Sequence, residues 1–178
     1  RLESGMEIEI EEPPAYRVAI LTASDKGAAG EREDASGKRI FERLTEAGYG
    51  VVRRDLLPDD RAGLVAYMEE LRDSHGADLL LTTGGTGFSP RDQMPEATLD
   101  VCDRLTPGIP EALRAASMKI TGRAMLSRAQ AGIAKKMLIV NLPGGPKAVD
   151  EHLDVLLPQL GHALDILSGR GGECARQD

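Results

Sequence analysis

A chain of 178 residues, 41% hydrophobic and 29% charged, has the balance of one globular domain with a sizeable core. Its net charge of −7 argues against nucleic-acid binding through a basic face, and no apolar run approaches the roughly 18 residues of a membrane span. Two cysteines, Cys102 and Cys174, and three scattered histidines provide neither a disulfide framework nor a zinc site.

Arg1–Gly5 reads as a segment appended ahead of a native start at Met6, and the absence of a signal-peptide pattern makes the cytoplasm the expected location. Residues 1–14 then form a flexible arm with an acidic run, Glu7–Glu12, closed by Pro13-Pro14. Tyr16–Ala23 is a predicted strand, and Ser36–Ala47 an amphipathic helix carrying Ile40, Phe41 and Leu44 on one face. Gly48 ends that helix as its C′ residue. Gly50–Leu57 follows as a strand whose charges, Arg53, Arg54 and Asp55, suit a sheet edge.

Asp60–Ser74 repeats Leu64, Val65, Met68 and Leu71 at helical spacing, and Asp78–Thr83 is a buried strand. Pro95 suits the first turn of a helix through about Leu105, and Pro110 that of another from about Ile109 to Lys119. Met125–Ile133 fits either a short strand or an irregular loop. Met137–Asn141 is a further buried strand. A last helix runs from Pro146 to Leu167, with Pro158 bending it midway; it carries His152 and His162, which read as structural or exposed. Alternating strands and helices predict a single three-layer α/β domain over 15–169, a mostly parallel sheet with helices on both faces, and a flexible tail over 170–178.

The strand Asp78–Thr83 enters Gly84-Gly85-Thr86-Gly87, where glycines let the backbone turn sharply and bring its amides to an anion. This is neither the P-loop pattern nor the dinucleotide fingerprint. Arg91 beyond it could meet a phosphate oxygen, and Asp92 a divalent metal. Three other loops follow predicted strands: Ser24 to Gly37, Pro58-Asp59-Asp60, and Asn141 to Gly145. In a parallel sheet all four emerge on one side and bring Asp25, Asp59 and Asp92 around a cavity. Taken singly, Ser36 and Asp59 or Asp60 also suit helix caps, and Asn141 a turn. Together the carboxylates and the glycine loop favour magnesium-assisted phosphoryl or nucleotidyl transfer. No nucleophile with a paired base stands out in the sequence.

The ordered runs Ser24-Asp25, Gly30-Glu31-Arg32-Glu33-Asp34-Ala35-Ser36-Gly37, Thr82-Thr83-Gly84-Gly85-Thr86-Gly87, Arg91-Asp92, Pro95-Glu96-Ala97-Thr98, Ala124-Met125-Leu126-Ser127-Arg128 and Asn141-Leu142-Pro143-Gly144 resemble the molybdopterin adenylyltransferases. That family includes the G domains of gephyrin and of its plant counterpart, and the resemblance extends from Tyr16 to about Leu167. It implies a homotrimer that binds molybdopterin and ATP with Mg2+. The implied reaction joins AMP to the terminal phosphate of molybdopterin, releases pyrophosphate and readies the product for a metal-insertion partner protein.

By matched position, Thr83, Gly84, Gly85, Thr86 and Gly87 would hold nucleotide phosphates. Asp59 and Asp92 match the essential carboxylates and would hold Mg2+. Ser24, Asp25, Ser117, Ser127, Asn141, Pro143 and Gly144 match the molybdopterin site. The resemblance also leaves an alternative, a non-catalytic paralogue that holds or delivers molybdopterin. Two positions depart from the pattern. Met94 replaces a threonine that would cap the following helix, at a cost of about 1 kcal/mol, and Gly145 replaces a larger polar residue.

Overall fold

A computed structural model describes residues 16–170. The arm at 1–14, the tail beyond residue 170 and Cys174 lie outside the described residues. Six strands form one sheet: β1 (Arg17–Ala23), β2 (Gly50–Leu57), β3 (Leu79–Thr83), β4 (Arg104–Leu105), β5 (Ala131–Ala134) and β6 (Met137–Leu142). Six helices accompany them: α1 (Asp25–Ala28), α2 (Ala35–Glu46), α3 (Arg61–Asp73), α4 (Met94–Val101), α5 (Gly108–Met118) and α6 (Pro146–Ser168).

The strand order is β2-β1-β3-β6-β5-β4, with β2, β1, β3 and β6 mutually parallel and β5 and β4 antiparallel additions at one edge. Alternation along the strands builds a core on each face. Val18, Ile20, Leu79 and Leu81 meet Ile40 and Leu44 of α2, Leu113 of α5 and the apolar stripe of α6. Ala19, Leu21, Leu80 and Ile139 meet Leu64, Met68 and Leu71 of α3 and Met94, Ala97 and Val101 of α4. All five residues of β3 are buried, as a central strand covered on both faces requires.

β2 lies at the edge its charges indicate, and Gly48 takes the left-handed conformation, φ 88°, just past α2. Two segments differ from expectation, and a third settles an open reading. α4 stops at Val101 rather than near Leu105, because the chain turns into the sheet edge. There Asp103 N–H donates to Ile133 O at 2.8 Å and Thr106 N–H to Ala131 O at 2.9 Å. Met125–Ile133 contains both of the structures that fit it: a 3-10 turn ends at Leu126, an irregular stretch follows, and β5 begins at Ala131. The single turn α1 was not expected; Ser24 caps it, accepting from Gly27 N–H at 3.0 Å. α6 continues through Pro158.

Candidate active site

The loops after β1, β2, β3 and β6 converge at the carboxyl end of the parallel strands and are stitched together by hydrogen bonds. Asp25 and Asp59 exchange a reciprocal pair: Asp59 N–H donates to Asp25 Oδ1 at 2.9 Å, and Asp25 N–H to Asp59 Oδ2 at 3.1 Å. Thr83 Oγ donates to Pro143 O at 2.6 Å, and Ser36 Oγ donates to Gly144 O. Arg91 forms a bidentate pair with Asp25 at 2.9 and 2.8 Å. Its Nε and one terminal nitrogen are therefore engaged by a carboxylate.

The glycine loop follows from close approach as much as from turning. Gly84 and Gly85 both have positive φ, 86° and 68°. A Cβ on Gly84 would strike the Ala23 carbonyl oxygen, and one on Gly85 would sit 3.2 Å from Asp59 Oδ1 and 3.3 Å from Met94 Cβ. The loop is held from outside: Met94 N–H donates to Gly85 O at 3.1 Å, Arg128 N–H to Thr86 O at 2.9 Å, and Arg128 Nε to Gly87 O at 2.8 Å. The amides of Gly85, Thr86 and Gly87 donate to no acceptor among the described residues. Such amides suit an anion.

Two cavities adjoin this loop. The first, of about 380 Å3, is lined by Ser24, Asp59, Thr83, Gly84, Gly85, Asp92 and Gly144, with Arg32 and Asp34 at its wall. The second, of about 300 Å3, is lined by Thr86, Gly87, Ser117, Ser127, Pro143 and His152, with Arg114 and Arg123 nearby. The glycine loop and the Pro143-Gly144 turn each contribute to both. The residues matched to the molybdopterin site therefore divide: Ser117, Ser127 and Pro143 face the second cavity, whereas Ser24 and Gly144 face the first. Asp25 lines neither and is occupied by Arg91 and Asp59.

Asn141 also lines neither cavity. It is 1% exposed, its Nδ2 donates to Thr82 Oγ and Thr98 Oγ at 2.9 Å each, and its Oδ1 accepts from Gln130 N–H at 3.0 Å. With both amide protons committed, it ties β3, β6, α4 and the approach to β5 together beneath the loops. Its place is that of a brace under the site.

Asp59 is the least satisfied group in the first cavity. Its Oδ1 is buried with no hydrogen-bond partner. Burial, reinforced by the charges of Asp25 and Asp92, raises its pKa above the ordinary carboxylate value. Asp92 Oδ2 accepts from Ser89 N–H at 3.0 Å. A buried, unpartnered carboxylate oxygen beside a second carboxylate suits a cation brought in with phosphates. Among the described residues no cluster of three or more side chains could cage a metal alone. Mg2+ fits that pattern, since it binds through one or two carboxylates together with phosphate oxygens.

The helix caps settle one open reading and overturn another. Asp60, not Asp59, caps α3 through Gly63 N–H at 2.9 Å. Asp34, not Ser36, caps α2 through Gly37 N–H at 2.9 Å and also accepts from Thr22 Oγ. α4 has no side-chain cap, but the cap position is Gln93; Met94, expected there, is the first residue of the helix. There its side chain is completely buried, a contribution of roughly 1.5–3 kcal/mol.

Two contributors lacked an assigned role in the sequence. Arg128 braces the loop and pairs with Glu96, although it stands inside a run that carries the family resemblance. His152 is 4% exposed and meets Ser117 across 35 residues of sequence, a separation at which no local pattern can signal a contact.

Residues 19–162 match the family described as a probable molybdopterin binding domain. A Helicobacter pylori protein named molybdopterin adenylyltransferase is 39% identical over 154 residues, spanning 85% of this chain and 88% of its own. The crystal structure of the molybdopterin biosynthesis enzyme MoaB from Thermus thermophilus superposes with a TM-score of 0.82 at 44% identity, covering 86% of this chain and 97% of that one. The tungsten cofactor synthesizing protein MoaB from Pyrococcus furiosus superposes with a TM-score of 0.79 at 35% identity, covering 87% and 98%. With this fold, these loops and matches of this extent, the chain belongs to the molybdopterin-binding domain family of molybdenum cofactor biosynthesis.

Proposed function

We propose that this protein is a molybdopterin adenylyltransferase, using ATP with Mg2+ to produce adenylyl-molybdopterin and pyrophosphate. The observation that carries this reading is the pair of cavities sharing the glycine loop, with the unpartnered Asp59 Oδ1 in the first. ATP occupies the first cavity with its phosphates at the loop amides. Molybdopterin occupies the second with its terminal phosphate directed at the same loop.

A phosphate oxygen of molybdopterin then attacks the α-phosphorus of ATP. The new P–O bond forms as the α–β bond breaks, and pyrophosphate leaves with the bonding electron pair. When bound, Mg2+ would supply positive charge against the triphosphate and the departing pyrophosphate, held by Asp59 and Asp92. The loop amides offer preorganised dipoles to the same oxygens. Arg91, fixed by Asp25, holds the loops after β1 and β3 together.

The homotrimer is part of the same proposal. Exposed apolar side chains at the end of α5 and in the turn after it, Met118, Ile120, Met125 and Leu126, support a contact surface there. A cytoplasmic location and a metal-insertion partner accord with a biosynthetic intermediate handed onward. The test is to incubate purified protein with molybdopterin and MgATP and to look for adenylylated pterin and pyrophosphate. Both products are expected. Tight pterin binding without either product would identify a non-catalytic carrier.

A further inference from the structure

His152 leaves a polar atom unaccounted for. Its Nε2 lies 2.7 Å from Ser117 Oγ, while its Nδ1 is buried without a partner. Both residues line the second cavity. For packing alone, an apolar side chain of similar volume would fill the space without an orphaned nitrogen. Burial, together with the charge of Arg114, pushes the imidazole pKa down to about 4, so the ring is neutral at pH 7 and carries one proton.

The two tautomers give Ser117 opposite roles. With the proton on Nδ1, a buried N–H has no acceptor, and Nε2 accepts the hydrogen bond of the serine O–H, so that only oxygen lone pairs face the cavity. With the proton on Nε2, Nδ1 is a bare acceptor, Nε2–H donates to Ser117 Oγ, and the serine O–H is free to turn outward. The neutral imidazole side chain intrinsically favours its proton on Nε2, and no acceptor at Nδ1 opposes that preference. The second arrangement is therefore the favoured one.

We propose that His152 is a positioning residue that holds the Ser117 hydroxyl as a hydrogen-bond donor toward an acceptor atom of the ligand in the second cavity. The proposal rests on reading that cavity as the molybdopterin site. The partner atom is then a ring nitrogen or an oxygen of molybdopterin. A site built to hydrogen-bond its ligand in this way discriminates against analogues lacking the acceptor, because the serine O–H would be left unpaired.

Imidazole 15N NMR of the labelled full chain reads the tautomer without any ligand. Proton on Nε2 of His152 is expected; proton on Nδ1 overturns the proposal. Calorimetry with molybdopterin then compares wild type, His152→Leu, Ser117→Ala and the double variant. Each single change is expected to weaken binding about tenfold, the scale of one net hydrogen bond, with ATP affinity unchanged. The double variant should bind no more weakly than Ser117→Ala, since His152 acts only through the serine. His152→Gln, whose amide can also donate to Ser117, should recover most of the affinity, and thermal melts confirm that each variant is folded.

Additive losses, or unchanged affinity in both single variants while wild type binds, overturn the proposal and leave the functional reading standing. Absence of molybdopterin binding by wild type overturns both.

Discussion

Asp59 and Asp92 face one cavity with unlike surroundings, and the difference determines what each substitution should do. Asp59→Asn and Asp92→Asn are each expected to lower adenylyl transfer by about 10²–10³, a loss of roughly 3–4 kcal/mol of transition-state stabilisation. Capping does not explain such a loss, because Asp60 caps α3. Turnover within a few-fold of wild type would remove both from the chemistry. The raised pKa of Asp59 means that the fold disfavours its charge. At neutral pH, Asp59→Asn should therefore melt no lower than wild type while losing activity, which a thermal melt beside the assay would establish.

His152 gives a stability prediction of opposite origin. Its folded pKa of about 4 lies below the ordinary 6.5, so the unfolded chain binds the extra proton first. Stability should fall as pH drops from 6.5 toward 4, by roughly 3 kcal/mol for this group alone. Urea titrations across that range should show the loss in wild type and a smaller one in His152→Leu.

Among the elements, the turn from β3 to α4 is most tightly constrained. Gly85→Val would put a branched side chain at φ 68° with its Cβ 3.2 Å from Asp59 Oδ1, and the left-handed conformation alone costs roughly 1–2 kcal/mol. Calorimetry should show ATP affinity reduced at least about tenfold; equal affinities would exclude the loop from the nucleotide site.

The same region shows what local pattern misses. Helical spacing after Pro95 continued to about Leu105, yet α4 ends at Val101, where Cys102 N–H still bonds Thr98 O and Asp103 already pairs with β5. Pro107 disfavours helix at Thr106. The strand itself, β4, exists only because β5 lies beside it.

For the whole molecule, the order β2-β1-β3-β6 places a topological switch between β1 and β3. The chain leaves β1 toward α2 on one face and leaves β3 toward α4 on the other. A crevice at such a divergence is where open α/β sheets bind ligands, and Thr22, Ala23 and Ser24 meet Thr83, Gly84 and Gly85 there. Assembly belongs to this scale. Light scattering at micromolar concentration should give three times the chain mass of 19.1 kDa, consistent with closed symmetry. A monomer mass would count against the homotrimer.

The parallel core, its flanking helices and the glycine loop were legible in the sequence because each depends on local spacing: buried apolar runs, helical repeats, and glycines placed after a strand. The carboxylates Asp59 and Asp92 were legible through their motifs and do share a cavity. Tertiary structure alone decided which groups remain available to a ligand. Arg91 pairs with Asp25, Asn141 is held by two threonines and a backbone amide, and Ser117 is oriented by His152. The side-chain pairings span from 35 to 66 positions, and the bond between Asn141 and the Gln130 amide spans 11. Hydrogen bonds form between atoms made neighbours by the sheet order, and residue types along the chain do not encode that distance.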